Sequence, residues 1–244
     1  MKRVLTVFLF ALLAVVPAFA QDKPAAMPSV DQIIEKSIQA TGGKAAHDKL
    51  TSRVAKGSFE IPSMGVGGPI EAYAKAPNKI ITIINIEGFG VVQQGFDGAV
   101  GWSSDPQSGM RVMEGAELAA TKREADFYGN NKIKEYFPKM TLKGKDKVGD
   151  HEVYVIDAVA VEGTPETFYF DTQSGLLLRN DSERETPQGK MKVQVYMEDY
   201  KDVDGIKMPF TMRQNTDAMN FVIKFTEIKH NVAIEDAKLK KPSN

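Results

Sequence analysis

Three histidines, His47, His151 and His230, are the residues with which this chain could bind a metal or move a proton. They stand far apart, and none belongs to an HExxH or HxH spacing that would aim two imidazoles at one ion. No serine lies in a GxSxG elbow or an SxxK motif, so no hydroxyl has a base placed beside it. Ser108-Gly109 and Ser174-Gly175 read as turns. The run Gly65-Val66-Gly67-Gly68 lacks the helix and lysine that follow a phosphate-cradling loop, and reads as a flexible hairpin connection. The pairs Glu124/Asp126 and Asp202/Asp204 could chelate Ca²⁺, but a full alternating set of oxygen ligands is missing. There is no cysteine, which excludes disulfides, thiolate metal sites, a Cys nucleophile and an acylated N-terminal Cys. These residues predict a protein that is not an enzyme and uses neither metal nor cofactor.

The chemistry on offer is adaptable apolar surface. Beyond residue 20 the chain carries ten methionines and ten phenylalanines. Methionine is flexible and polarisable, and is over-used where a surface must accept varied apolar partners. Val193, Val195 and Met197 alternate with Lys192, Gln194 and Glu198. Ile206, Met208, Phe210 and Met212 alternate with Lys207, Thr211 and Arg213, and Phe221, Ile223 and Phe225 with Lys224 and Thr226. A period of two with one dry face marks an antiparallel sheet covered on a single side. Val195, Met197, Met208, Phe210, Met212, Phe221 and Phe225 are therefore the candidate ligand-binding residues, lining a hydrophobic cavity. The alternative is that the same side chains fill a core.

Elements must position that face. Ser29 offers an N-cap to a helix with Val30, Ile33, Ile34 and Ile38 on one side, stopped by Gly42-Gly43. A second short helix is predicted over Lys44–Leu50. From Arg53 onward, short alternating runs are punctuated by turns at Asp97-Gly98, Lys147–His151, Asp171–Gly175 and Asp204-Gly205. Glu114–Tyr128 has helix-forming composition in mid-sheet and could cover the sheet's open side. Met64, Met110 and Met113 fall in or near strand connections. The tail, Lys238–Asn244, reads as frayed and solvated.

Residues 1–20 combine Lys2 and Arg3, an apolar run over Val4–Val16 and a small-x-small site at Ala18-Phe19-Ala20, the pattern of a secretory signal peptide. The apolar run is short of the ~20 residues that span a bilayer. Without the leader the chain has 29 basic and 32 acidic residues, a balance that gives no reason to expect a nucleic-acid partner. The expected organisation is signal peptide 1–20, flexible tether 21–28 and one β-rich domain over 29–244, exported to the periplasm, with no membrane segment after cleavage, and monomeric.

Several phrases in order resemble the outer-membrane lipoprotein-sorting proteins, the LolA-like and LolB-like half-barrel superfamily. They are GSFEIPSMGVGGPIEAYAKAPNK at 57–79, GFDGAVGWSSDPQSG at 95–109, FYFDTQSGLLLR at 168–179, DYKDVDGIKMPF at 199–210 and FTEIKHNVAIEDAKLKKP at 225–242. The resemblance implies a mainly β fold: a strongly curved antiparallel sheet, an unclosed β-barrel, with the N-terminal helix and the inserted helix as lid. It implies a soluble carrier whose partner is a hydrophobic acyl chain or a lipoprotein, with an envelope protein as a further candidate partner; release would need the lid to move or a partner to compete. A basic barrel residue that touches the lid in those proteins has no motif-matched counterpart here, and its role is not carried over to Arg53. The rival reading is an envelope protein-interaction or sensing module with a filled core and no lipid cargo. Export should leave a mature N-terminus at Gln21 without attached lipid; N-terminal sequencing of the secreted protein checks it, and a chain that still begins at Met1 contradicts it.

Overall fold

The computed structural model describes residues 27–186 and 189–242; the signal-peptide expectation lies outside them, as does the tether up to residue 26. Thirteen strands form one antiparallel sheet. They are β1 (Ser52–Ile61), β2 (Val66–Lys75), β3 (Lys79–Ile86), β4 (Gly90–Phe96), β5 (Gly101–Asp105), β6 (Gly109–Val112), β7 (Lys139–Val148), β8 (His151–Val159), β9 (Pro165–Asp171), β10 (Leu177–Thr186), β11 (Gly189–Val203), β12 (Ile206–Thr216) and β13 (Asn220–His230). Their order is β6-β5-β4-β3-β2-β1-β13-β12-β11-β10-β9-β8-β7. The two edges, β6 and β7, are consecutive in sequence and do not pair, so the barrel stays open. The segment joining them holds α3 (Gly115–Ala125), a 3-10 turn (Gly129–Lys132) and α4 (Ile133–Tyr136).

The contacts of α3 require a steep curl. It packs on β4 and β5 and also on β10. Seven inter-strand steps separate β4 from β10, about 34 Å on a flat sheet at ~4.8 Å per step. An 11-residue helix is only about 16 Å long. The sheet therefore bends its two wings toward each other. Its inner face is the one that meets the helices.

The N-terminal helix α1 (Val30–Ala40) begins as its sequence predicts. Ser29 Oγ accepts from the Gln32 N–H at 3.2 Å while Gln32 Oε1 accepts from the Ser29 N–H at 2.8 Å, a reciprocal cap. Ile33 and Ile34 are buried on the inner face of one wing, against Ile156, Phe168 and Phe170, and Phe137 beside α4 completes the cluster. Gly42 has φ +115°, and a Cβ there would lie 2.4 Å from the Gly205 carbonyl oxygen. Only glycine allows the link after α1 to dock so closely on the β11–β12 turn, where the Lys207 N–H donates to the Thr41 carbonyl at 3.3 Å.

Four expectations need correction. The second helix, α2 (Lys44–His47), is shorter than Lys44–Leu50, because its last turn tightens to i→i+3 bonds from the Lys49 and Leu50 N–H groups to the Ala46 and His47 carbonyls. The mid-sheet helix ends at Ala125, where Asp126 turns extended, and α4 was not foreseen. Val66, Gly67 and Gly68 are paired residues of β2, and the connection is residues 62–65. The tail is not frayed where described: Asp236–Leu239 forms a 3-10 turn and Leu239 is fully buried. With Ile234, Leu239 covers the outer face of β1, β2, β3 and β5 over Val54, Tyr73, Ile81 and Trp102, which the register sets side by side. Lys75 Nζ donates to the Ile234 carbonyl at 2.9 Å and to Asp236 at 2.9 Å, and Lys238 Nζ stands 4.2 Å over the Tyr73 ring. This second core is small but dry. Leu239→Ala should cost about 2–5 kcal/mol, read by urea denaturation; a loss under about 1 kcal/mol would show that the tail is not part of the folded unit.

Candidate functional site

The inner face is continuous from wing to wing because the ladders bring its apolar rows into line. Met197 lies opposite Met212, Met212 opposite Ile223, and Ile223 opposite Phe59. Val195 lies opposite Gln214, which lies opposite Phe221. Phe210, Met208 and Phe225 pack with Ala55 and Ile228, and Phe221 and Phe225 pack with Phe59, Ile61 and Ile70. All seven candidate residues thus share one face, while Lys207 and Arg213 point to solvent on the other. Of the seven, only Phe210 is buried; Val195, Met197, Met208, Met212, Phe221 and Phe225 stay half-exposed. The inner face is therefore apolar and incompletely covered by its own chain.

A cavity of about 290 Å³ opens between α3 and this floor, near the lower limit of ordinary small-molecule pockets, roughly 300 Å³. Ile80, Thr82 and Gln94 come from one wing, Met191, Val193 and Gln214 from the other. None of the seven candidate residues lines it; they continue the same floor beyond it. Its rim is polar, with Glu117, Glu183 and Arg184.

The helix above the cavity is attached chiefly by charge. Arg111 makes a bidentate pair with Glu117 at 2.7 and 2.6 Å, Arg184 pairs with Glu124, and Gly101 leaves room for Leu118, whose Cδ1 would meet a Cβ there at 2.8 Å. The firmest tie is Arg123. Its guanidinium reaches Glu162 at 3.0 Å and Glu166 at 2.6 Å, with all three side chains at most 13% exposed, and stacks 4.7 Å from the Phe137 ring. Asn180 Nδ2 donates to the second Glu166 oxygen at 3.1 Å. Burial works against the Arg123 charge, but the two carboxylates outweigh it and hold its pKa above the usual value. Just beyond α3, Asp126 accepts from Lys132 Nζ at 2.7 Å, from the Tyr136 hydroxyl and from the Tyr128 N–H at 3.0 Å. Burial and that carboxylate push the Tyr136 phenol up to about 12.

No local sequence signal marks Arg123, Glu162 and Glu166 as a set; α3, the β8–β9 turn and β9 meet only because the sheet curls. The three histidines do not converge as a ligand set. His151 Nδ1 lies 3.1 Å from Asp171 at a turn, His47 sits in α2, and His230 ends β13. Among the described residues no group of three or more His, Cys, Asp or Glu could hold a metal ion, and no helix is long and apolar enough to cross a membrane.

No protein-family profile matches the chain, and no curated protein matches it in sequence. Solved structures do share its fold. A DUF1329 family protein from Desulfovibrio piger aligns with a TM-score of 0.58 at 12% identity, over 86% of this chain and 97% of that one. A LolA superfamily protein from Nitrosomonas europaea aligns at 0.55 and 13% identity, over 88% and 99%. A Vibrio parahaemolyticus domain described as outer membrane lipoprotein-sorting aligns at 0.55 and 11% identity, over 85% and 94%. At such identities the likeness establishes a common fold, the half-barrel to which the sequence phrases pointed.

Arg123→Met should strand two buried carboxylates, destabilise the protein by about 3 kcal/mol and speed amide exchange in α3 selectively. Adding Glu162→Gln and Glu166→Gln should restore most of the loss; hydrogen exchange and denaturation on the same samples check both, and unchanged α3 exchange in the single variant contradicts the role.

Proposed function

We propose that this protein is an exported periplasmic binding protein that carries acyl chains, free or attached to a lipidated protein, in the concave face of its sheet, with α3 as the lid. The observation that carries the reading is the half-exposed inner floor of Met197, Met208, Met212, Val195, Phe221 and Phe225. A protein that completes its own core does not leave a row of methionines and phenylalanines partly wet on a concave surface. About ten methylenes moved from water onto that floor contribute ~8 kcal/mol, the scale of a micromolar complex before the entropic cost of association. Methionine suits the task because its unbranched thioether re-packs around chains of different shape.

The lid's attachment suits it too. Pairs such as Arg111–Glu117, partly open to water, contribute little each, so opening α3 mainly requires undoing the Arg123 cluster. The shared fold with a LolA superfamily protein and with a domain described as lipoprotein-sorting supports this reading, and the leader at residues 1–20 supports an envelope location. The rival, an interaction module with a filled core, is the outcome the following test would return.

A packed core Met replaced by Ala costs roughly 2–5 kcal/mol; a lining Met, with fewer fixed neighbours, should cost well below that. Met208→Ala and Met212→Ala are expected to fold normally and to bind a fluorescent fatty acid several-fold more weakly, measured by probe titration beside chemical denaturation. If both are severely destabilised and the unaltered protein never binds the probe, the floor is core and the carrier reading fails.

A further inference from the structure

The sheet places a cation on the inner floor that the protein leaves unanswered. Arg53 lies two residues before Ala55 on β1 and opposite His230 on β13. Ala55 and Ile228 both face inward, in the cluster with Phe210, Met208 and Phe225, and strand alternation puts Arg53 and His230 on that same side. Among the described residues the Arg53 side chain has no hydrogen bond and no ion pair with any carboxylate. The side chain is only partly buried; the desolvation it does undergo moves its pKa down.

His230 beside it is answered on one side only. Its side chain is 1% exposed, Nδ1 lies 3.3 Å from the exposed Asp204 Oδ2, an ion pair when the ring is protonated, and Nε2 has no hydrogen-bond partner among the described residues. His47 completes the group from α2, its Nε2 3.3 Å from Thr41 Oγ1. Burial first, and then the Arg53 charge against the Asp204 carboxylate, lowers the pKa of His230; burial first, with the same Arg53 charge among the further causes, lowers that of His47. The carboxylates nearby, Asp204 and Asp48, are exposed, and neither pairs with Arg53.

A partly buried guanidinium with five fixed donors and no protein acceptor leaves a cation incompletely hydrated beside apolar surface. The arrangement becomes favourable once a planar or tetrahedral oxyanion fills the fork. Such an oxyanion would lie one strand repeat, about 7 Å, from Ala55, where the apolar floor of Phe210, Met208 and Phe225 begins. Cation, then grease, is the layout of a site for a molecule with an anionic head and an acyl tail.

We propose that Arg53, flanked by His230 and His47, seats the anionic headgroup of an amphiphilic ligand, a carboxylate or a phosphate, whose acyl chain runs along the inner face toward Phe59 and Phe221. This rests on the acyl-chain reading and narrows it: the cargo is charged at one end.

The test compares three probes of equal chain length on the full exported chain: a sixteen-carbon fatty acid, its methyl ester and the matching monoalkyl phosphate. Titration calorimetry with Arg53→Met and Arg53→Lys gives the variant arms. The unaltered protein is expected to bind the acid, the phosphate or both at least ~10-fold more tightly than the ester; which of the two it prefers identifies the head. R53M should bind the ester as before and lose the preference, while R53K keeps most of it. R53M should also melt no lower than the unaltered protein, because it removes an uncompensated charge. Equal binding of acid, phosphate and ester by the unaltered protein overturns the seat while leaving the acyl-chain reading intact, and needs no variant to fold. A preference that survives in R53M overturns it as well. Failure of all three probes to bind overturns both readings.

Discussion

The structure depends on one constraint: thirteen antiparallel strands must twist, and the twist is not allowed to close. Each strand of a sheet is rotated against its neighbour in a fixed sense, so a sheet of this width curls or splits. Here it curls, and its edges, β6 and β7, remain apart because the chain between them is spent on α3 and α4. An inner face built this way is too wide for opposing side chains to meet across it. On one wing α1 and Phe137 supply the missing layer over Ile156 and Phe168. On the β11–β13 floor α3 and the link after α1 cover only part, and the remaining methionines and phenylalanines are left partly open. The proposed binding surface is thus the part of the core that the topology does not complete.

The two helices that reach the inner face are held by different physics. Burial of Ile33 and Ile34 fixes α1, an interaction that is non-directional, insensitive to salt and worth roughly 1.5–3 kcal/mol for each side chain. The attachment of α3 is by contrast mostly ionic, with Ala120 and Ala125 its only buried residues. Hydrophobic docking suits a permanent part of the scaffold. Ion pairs are directional, and a competing charge or a partner surface can exchange them, which suits an element that must lift. The β7 edge is guarded in the same currency: Lys139, Lys143, Lys145 and Lys147 discourage strand addition there.

What could be read in the sequence was whatever repeats locally. The β12 face was legible because Ile206, Met208, Phe210 and Met212 recur every second residue against polar neighbours. The start of α1 was legible because Ser29 and Gln32 are spaced for a reciprocal cap, and the Asp204-Gly205 turn because both residues tolerate positive φ, as they show at 56° and 80°. Four-residue α4 has no period to detect. Ile234 precedes Glu235-Asp236 and Leu239 stands between Lys238 and Lys240, with no period to mark them, and their burial depends on the outer face of a sheet formed some 130 to 190 residues earlier in the chain. The Arg123–Glu162–Glu166 cluster and the Arg53–His230 juxtaposition are both products of curvature and of the β1–β13 pairing, which joins the first strand to the last. Neither leaves a trace in local spacing.

That last pairing also explains why polar groups without partners can survive at the floor. β1 and β13 are the middle of the sheet, each hydrogen-bonded on both sides, and their backbone is among the least free to move aside. A backbone there cannot shift a side chain toward solvent as an edge strand can, so the cost of a partly buried Arg53 without a protein acceptor is not relieved by movement of its strand. Outer-face arginines of the same sheet show the alternative: Arg179 is held by Asp181 and stacked 4.6 Å from Tyr169, and Arg213 is held by Glu198 and stacked 5.1 Å from Tyr196. Arg111 on β6 and Arg184 on β10 are paired as well, by Glu117 and Glu124 of α3. Arg53 differs from all four in having no carboxylate partner among the described residues, the arrangement expected where the acceptor arrives with a ligand.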